Sequence, residues 1–584
     1  MLRLIRRILA TALVLAASAR AQYAPPPGQM GEQQRDVPEG PAEQEEQEGE
    51  EKPELPPLRL WPGQDSRRLQ FLQTQGYYRF RIDRFYKLHL GLEPTAQPPQ
   101  CVAMGREDAG EGCPPNTMSG ANMRLRVEPQ LTAAEQVRVK TQFDILDNLS
   151  AGSTPDGFGY GQEGVGYTPS VLFGEGQVPP ESGRNSTRAA VRVKRVWAEV
   201  DTPLGLLQFG RMPWNWGMGM VSNNGNCVDC DYGDTADRLR FSVEPSEHTL
   251  LMVATDWASS GYTSDNLGSS ALGRYTGQGV DLENLDDVKQ WVFVFGKIQE
   301  PEEYRDRLAR GDSVFNAGLQ LVYRSQKFDY TTAASATEPG EFIERDAWML
   351  NPDAWLKFLF RKLEVEFEGA LIGGGMGGET PELGPDNGYN LLSWGFASRT
   401  TFHALKDSLR VGMESGAASG DPAEMEFLNT VRDPVNRQPA GDDELNQFRF
   451  DPDYIVDMIL YREILGTVTN TLYFKPFLHY DFVEEFGMTL DLIPSWALEP
   501  VATPGNSRFW GMEMDFGLHY RNVDEGFFAG IQYGVFFSGG ALNRPVELWD
   551  QYPRTDADGN TELFDLSGDA KVAQSLQGYF LIQF

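Results

Sequence analysis

The chain beyond Leu58 alternates apolar and polar residues in a series of segments, each about ten residues long. Clear examples run over residues 123–128, 137–145, 315–324 and 512–520. A period of two belongs to a β-strand with one apolar and one polar face, because successive side chains of a strand point to opposite sides. The sequence therefore predicts an all-β protein.

A soluble β-sandwich would show the same alternation, so the lengths of the connections between segments are needed to distinguish it from a membrane barrel. In outer-membrane barrels, short turns join the strands at one end and long loops join them at the other. Short turns are predicted at 201–203, 244–246, 360–362 and 521–525, and long loops near 89–120, 148–188, 213–236, 258–287, 373–389, 418–447 and 539–568. This pattern predicts a transmembrane antiparallel β-barrel that contacts outer-membrane lipid.

The closing segment, residues 575–584, supports the same architecture. Its apolar face carries Leu576, Gly578, Phe580, Ile582 and Phe584, and the chain ends on the last of these. A terminal aromatic residue on the apolar face of a final strand resembles the signal that the barrel assembly machinery reads. We therefore predict Phe580, Ile582 and Phe584 as the assembly signal.

The number of strands follows from parity, since a bacterial barrel of one chain has an even number. The sequence offers nineteen candidates. The weakest is 486–498, because Pro494 within it lacks a backbone donor, and we assign it to an outer loop. Eighteen strands remain, and sixteen is the alternative because segment 448–460 contains Pro452.

Two regions precede the barrel. Residues 1–21 combine early arginines, an apolar run and the small-residue site Ala19-Arg20-Ala21, which is typical of a signal peptide. Residues 22–57 hold ten acids, two bases and eight prolines, a composition that predicts a disordered periplasmic linker. The linker could be a spacer or an acidic arm for basic periplasmic proteins. The barrel is expected over 58–584.

Charge and cysteines limit the possible partners and chemistry. A formal net charge of −33 argues against nucleic acid as a partner. Four cysteines in an exported chain favour disulfides, and four cysteines allow three pairings. We favour the local pairs Cys101–Cys113 and Cys227–Cys230, since each pair lies within one predicted loop.

No local catalytic motif is present, and the five histidines lack metal-ligand spacing. We therefore expect no enzyme, although a site assembled from distant strands would leave no such motif. The loop residues Asp229, Asp231, Asp234 and Asp237 could supply oxygen ligands to a structural Ca²⁺, and residues 556–560 form a second acidic run. Neither completes a calcium-binding pattern, and no other cofactor is expected.

The polar faces of the predicted strands suggest an asymmetric lumen. Its basic candidates are Arg79, Arg81, Arg124, Arg126, Arg138, Lys140, Arg192, Lys194, Arg238 and Arg240, and its acidic candidates are Glu364, Glu366 and Glu368. A cationic arc inside a pore favours anionic solutes. Alternatively, the luminal charges neutralise one another and hold a plug or an inner loop.

Four passages resemble a family of large outer-membrane barrels from myxobacteria and related deltaproteobacteria. They are 197–213, 225–238, 448–454 and 502–506, and the resemblance covers roughly residues 65–584. It implies either a motility-complex barrel or a partner for polysaccharide export, similar in architecture to alginate-export porins. It implies no catalytic residues.

The leading hypothesis is a porin-like conduit in the outer membrane for anionic solutes or polysaccharide. The competing hypothesis is a structural anchor for an envelope-spanning complex, for gliding motility or secretion, that transports nothing. The acidic linker at 22–57 favours the anchor, because a porin needs no charged periplasmic arm.

Overall fold

The computed structural model describes residues 71–93, 115–151, 189–261, 264–265, 280–281, 283–299, 301–330, 342–377, 388–422, 444–549, 552–555 and 561–584. The predicted signal peptide, the linker, the pair Cys101–Cys113 and the acidic run 556–560 lie outside these residues. The architecture below therefore concerns the barrel wall and those loops that fall within the described ranges.

Eighteen antiparallel strands form the wall, each paired with its neighbours in the chain. They are β1 (Phe71–Tyr86), β2 (Thr117–Ala134), β3 (Val137–Ser150), β4 (Val191–Thr202), β5 (Gly205–Pro213), β6 (Thr235–Ser246), β7 (Thr249–Ser259), β8 (Val288–Lys297), β9 (Ser313–Tyr330), β10 (Phe342–Phe360), β11 (Leu363–Met376), β12 (Tyr389–Ala404), β13 (Leu409–Ala418), β14 (Thr471–Asp481), β15 (Phe486–Trp496), β16 (Phe509–Asn522), β17 (Phe527–Ser538) and β18 (Ala573–Gln583). The count of eighteen is thereby confirmed.

The described connections contain few other elements. They are α1 (Pro301–Arg310), α2 (Val546–Trp549), the π-turn Leu460–Ile464, the 3₁₀ turns Leu405–Asp407, Pro500–Ala502 and Gly540–Leu542, and the short strands Ser264–Asp265, Val280–Asp281, Glu444–Leu445, Tyr552–Thr555 and Thr561–Phe564. Among the described residues, no helix has the length and apolar character needed to cross a bilayer.

The barrel closes where β18 pairs with β1, with Phe580 opposite Phe80. The chain end is part of this seam, because Phe584 and Gly76 exchange backbone hydrogen bonds of 3.1 and 2.9 Å. A Cβ at Gly76 would lie 2.2 Å from the Arg126 carbonyl oxygen, so glycine permits this approach. Closure leaves no wall strand with an unpaired edge.

The outer face of the wall is apolar. Large side chains that face outwards keep substantial exposure, including Ile82 (45 %), Phe516 (40 %), Phe580 (48 %) and Ile582 (47 %). Their inward neighbours along the same strands are buried and polar, as with Arg81 and Gln577. An apolar outside and a polar inside define a transmembrane barrel, which confirms the predicted fold class.

Two strand assignments from the sequence are wrong, and they offset each other in the count. Residues 486–498 were expected in an outer loop, yet β15 occupies Phe486–Trp496. Pro494 is tolerated because the β14–β15 pairing is interrupted between Tyr473 and Phe477, so this stretch of the ladder needs no donor from proline.

Segment 448–460 is not a wall strand. Consecutive residues Ile459 and Leu460 are both at most 1 % exposed, as is Phe448, so burial does not alternate as a wall requires. The segment belongs instead to the long connection 419–470 between β13 and β14, whose second half folds into the barrel. We call residues 446–470 lumen loop B.

A second connection, residues 214–234 between β5 and β6, also folds inwards, and we call it lumen loop A. The two loops meet in the lumen, where the Asp451 amide donates to the Met220 carbonyl oxygen at 2.7 Å. Both loops contribute to one buried apolar cluster with wall residues such as Trp355 and Trp510. The lumen of this barrel is therefore substantially filled by its own loops.

Candidate functional site: the charged luminal interface

The inward face of β1–β4 contacts lumen loop A through arginine side chains. Arg79 donates to the carbonyl oxygen of Val228 at 2.7 Å, and Arg124 donates to that of Cys230 at 2.7 Å. Arg126 donates to the carbonyl oxygen of Gly225 at 2.8 Å. The guanidinium group suits this role because it offers five donors in a fixed plane.

The same arginines surround two carboxylates of lumen loop A. Asp231 accepts from Arg79 at 3.1 Å, from Arg81 at 3.1 Å and from Arg124 at 3.3 Å. Asp229 accepts from Arg81 at 2.9 Å and, on its other oxygen, from Arg462 of lumen loop B. The neighbouring arginines lower the pKa of both carboxyl groups against the effect of burial, which keeps them charged.

Wall carboxylates hold the arginines from the other side. Asp144 binds Arg126 through both oxygens at 2.7 and 2.9 Å, and Asp147 accepts from Arg124 at 2.7 Å. These ion pairs are almost fully buried. Buried ion pairs add little net stability, but loss of one partner is costly, so they fix position more than they stabilise.

Arg195 is a luminal base that the sequence pattern missed. Simple alternation from Arg192 and Lys194 places residue 195 on the outer face. A β-bulge shifts the register between Gln142 and Phe143 of β3, so Arg195 turns inwards and is 2 % exposed. It donates to the Asn224 carbonyl oxygen and to the Asn226 side chain.

The part of lumen loop A that enters this arginine group is a small lobe, residues 226–232. A disulfide joins Cys227 to Cys230 within it. Gly225 and Gly233 lie on either side of its neck with φ of 65° and 76°, a region that L side chains rarely adopt. A Cβ at Gly225 would lie 2.5 Å from the Gly233 Cα, so both positions favour glycine.

Asp453 of lumen loop B holds the base of this lobe. Its carboxylate accepts hydrogen bonds from three successive backbone amides, those of Asp231 (2.9 Å), Tyr232 (3.2 Å) and Gly233 (2.6 Å). Charge-assisted bonds of this kind are stronger than neutral ones. At the base of the lobe, the Asp453 carboxylate therefore joins the two lumen loops.

Two acidic residues of the wall hold the loops by their backbones. Glu368 of β11 accepts from the amides of Met218 and Met220, the second at 3.3 Å. Glu513 of β16 accepts from Met458 at 2.9 Å and, through its second oxygen, from the Leu460 amide at 3.0 Å. The bases of β1–β4 therefore bind carbonyl oxygens of lumen loop A, whereas Glu368 and Glu513 of later strands bind loop amides.

The two halves of the lumen differ in what holds the loops. Against the C-terminal half, lumen loop B packs apolar side chains on wall residues Tyr473, Ile493 and Phe536, all at most 1 % exposed. Against β1–β4, the lobe makes mainly ionic and hydrogen-bonded contacts. Competing ions weaken ionic contacts but not apolar packing. Charged solutes can therefore weaken the contacts between the lobe and β1–β4.

The remaining predicted luminal residues also have partners. Arg138 binds Glu199 and Asp201, and Lys140 binds Glu199. Arg192 binds Asp147, and Lys194 binds the Tyr232 carbonyl oxygen. Arg238 binds Asp256, Arg240 contacts Ser242, and Glu364 and Glu366 bind Lys357.

The residues predicted as the assembly signal, Phe580, Ile582 and Phe584, lie exposed on the outer face.

The four aspartates considered as calcium ligands make separate contacts. Asp229 and Asp231 face arginines, Asp234 lies beside Asp451, and Asp237 binds Arg211 at 2.6 Å. The last pair is on the outer face, because its neighbours Met212 and Arg238 point inwards. Within the described ranges, three carboxylates converge at Asp281, Asp286 and Asp287 instead.

The contact between Asp451 and Asp234 predicts a pH dependence. Burial, together with nearby Asp234 and Asp453, raises the pKa of Asp451 to about 8; Arg195 is the base that faces this pair. The docked loops therefore bind a proton that the undocked loops release above pH ~4. The contribution of this pair to docking is largest near pH 4 and weakens as the pH rises from about 4 to about 8.

Hydrogen exchange of residues 222–234, corrected for the intrinsic rate, measures this effect. We expect protection to fall by at least about tenfold across that range, since one unit of pKa shift corresponds to about 1.4 kcal/mol. The variant Asp451→Asn should remove most of the slope. An equally steep slope in that variant would show that another group is responsible.

No family model and no curated protein matches this chain. Solved outer-membrane structures do resemble it. The outer membrane protein OpdK from Pseudomonas aeruginosa is 9 % identical over 88 % of this chain and 100 % of its own, with a TM-score of 0.42. OccK11 (OpdR) of the same organism is 8 % identical over 88 % of this chain and 96 % of its own, also at 0.42. The outer membrane channel DcaP of Acinetobacter baumannii is 9 % identical over 88 % and 97 %, at 0.32.

This chain has the fold of a porin-like outer-membrane barrel. Its closed wall of eighteen strands with an apolar exterior has a size at which barrels enclose an aqueous channel unless loops occupy it. The resemblance to deltaproteobacterial barrels has no counterpart among these matches and stays a prediction.

Proposed function

We propose that this barrel is an outer-membrane channel for small anionic solutes, with lumen loops A and B forming its constriction. The observation that carries the proposal is the charge of β1–β4. Nine bases and six acids point inwards there, in a chain whose net charge is −33. The bases are Arg79, Arg81, Arg124, Arg126, Arg138, Lys140, Arg192, Lys194 and Arg195, and the acids are Asp83, Glu128, Asp144, Asp147, Glu199 and Asp201.

Some of these bases remain open to solvent beside the anchored lobe. The side chain of Arg192 is 44 % exposed, and those of Lys140 and Arg138 are 33 % and 26 % exposed. Arg192 lies near the long-loop end of its strand, whereas the other two lie near the short turn that precedes β3. A solute passing the lobe therefore meets basic side chains near both ends of this arc, which favours anions.

Small solutes fit this geometry better than polysaccharide does. A polysaccharide conduit needs a wide continuous lumen, whereas two loops occupy this one and are held to the wall by ion pairs and apolar packing. The anchor hypothesis rests on residues 22–57, which lie outside the described ranges, and the luminal geometry offers nothing that favours it.

Zero-current potentials in planar bilayers under a potassium chloride gradient test the proposal. We expect the full chain to select anions, and Arg138→Gln combined with Lys140→Gln to lower the anion-to-cation permeability ratio by about twofold or more, since charge at a pore mouth sets the local ion concentration. Arg211→Gln is the matched control, because it removes a base from the outer face. Cation selectivity of the full chain would refute the proposal.

A further inference from the structure

The arginine group around Asp231 has the composition of an anion-binding site. Arg79, Arg81 and Arg124 place guanidinium nitrogens within 3.3 Å of the Asp231 carboxylate. Arg81 also reaches Asp229, which Arg462 binds from lumen loop B. Like charges this close repel unless an anion lies between them, so the group requires an occupant, and here the occupants belong to the chain itself.

The arginines are held in place independently of these occupants. The wall residue Asn148 accepts from Arg79 at 2.5 Å, and Asp147 accepts from Arg124 at 2.7 Å. Asp83, two residues along the same strand, accepts from Arg81 at 3.2 Å. The guanidinium groups of Arg79, Arg81 and Arg124 therefore keep their arrangement if the two carboxylates leave, and a preorganised site loses little entropy when a ligand binds.

The two occupants are more accessible than the groups they bind. The side chains of Asp229 and Asp231 are 31 % and 24 % exposed, whereas those of Arg79 and Arg124 are at most 1 % exposed. The carboxylates thus cover the side of the arginines that faces solvent. Because Asp453 holds the lobe by its backbone amides, the two side chains can turn away while the lobe stays docked.

We propose that Arg79, Arg81, Arg124 and Arg462 form a dicarboxylate-binding site, and that Asp229 and Asp231 are its displaceable internal occupants. This inference rests on the proposed anion channel and names its binding site and its self-inhibition. A solute with two carboxylates replaces the internal pair, so its apparent affinity equals its intrinsic affinity multiplied by the fraction of time that the pair leaves the arginines free. Weakening the internal pair should strengthen binding of the solute.

Succinate binding to the full chain in detergent micelles, measured by isothermal titration calorimetry, tests this. The double variant Asp229→Asn with Asp231→Asn keeps the side-chain size but removes both charges. We expect it to bind succinate at least about tenfold more tightly than the unaltered chain, because two charge-assisted competitors are lost. Adding Arg81→Gln to the double variant should abolish the gain.

Asp237→Asn is the matched control, since it removes a carboxylate from the adjoining end of β6 but on the outer face. It should bind succinate as the unaltered chain does. Heat-modifiable migration in gels checks that every variant is folded, and a variant that fails this check is replaced by its single-substitution counterpart. Equal affinity in the double variant and the control, or a gain that survives Arg81→Gln, would overturn the inference.

Selectivity recordings on the same proteins separate this inference from the proposed function. Cation selectivity of the full chain together with the expected gain in succinate affinity would refute the channel proposal and retain the binding site. Anion selectivity without any gain in the double variant would retain the channel and refute the site.

Discussion

Replacing residues 451–467 by an Asn-Gly turn is expected to raise the single-channel conductance by about five- to tenfold, because an eighteen-strand barrel without inner loops encloses an open aqueous lumen. The structure allows this excision. Arg449 and Thr469 form an antiparallel bridge, and the Phe450 amide donates to the Val468 carbonyl oxygen at 3.0 Å. The ends are therefore close enough for a two-residue turn.

The excision removes both kinds of contact that hold the loops. It deletes apolar residues such as Ile459 and Leu460, and it deletes Asp453 and Arg462, which bind the lobe of lumen loop A. Planar bilayer recordings give the conductance, and heat-modifiable migration shows whether the wall is intact. A folded variant with unchanged conductance would mean that lumen loop B does not obstruct the pore.

Asp453→Asn is expected to undock the lobe of lumen loop A. A carboxamide has one acceptor oxygen where the carboxylate has two, so either the Asp231 or the Gly233 amide then faces an NH₂ group. Leaving a buried donor unsatisfied and removing the charge costs about 2–4 kcal/mol. Hydrogen-exchange protection of residues 224–233 should therefore fall by roughly 30- to 1000-fold.

Asp451→Asn is the matched control for this substitution. Asp451 lies two residues away in the same loop, but burial and Asp234 raise its pKa to about 8, so its carboxyl group is largely protonated at pH 7. An amide resembles that protonated group but takes up no proton when the loops dock, so protection at pH 7 should not fall and is expected to rise. Equal losses in both variants would show that general disturbance of the loop, and not the three amide bonds, explains the result.

The wall of this barrel could be predicted because its physical cause is local. Lipid on one side and water or polar groups on the other impose a period of two on every strand, and Phe315–Arg324 or Met512–Tyr520 display it in isolation. Parity then gives the strand number. The predicted number is right although two assignments are wrong. Segment 448–460 is counted as a strand but belongs to lumen loop B. Segment 486–498 is left out because proline at 494 is usually incompatible with a wall, whereas here it falls at an interruption of the β14–β15 pairing.

The luminal bases could be predicted only where alternation holds. Arg79, Arg81, Arg124 and Arg126 follow it and point inwards. Arg195 does not, because the bulge that reorients it depends on the pairing between β3 and β4. Asp144 and Asp147 were visible as polar residues, but their role in holding Arg126 and Arg124 needs the partner strand to be known.

The sequence by itself determined the closed wall, its apolar exterior and the basic character of its first strands, since each depends on residue order within one segment. Only the tertiary structure decided what fills the lumen. Asp229 and Asp231 occur about 150 residues after Arg79 and Arg81, and Asp453 follows the lobe it holds by more than 200. Such contacts form only when the wall closes and brings distant loops together, and no periodicity in the chain encodes them.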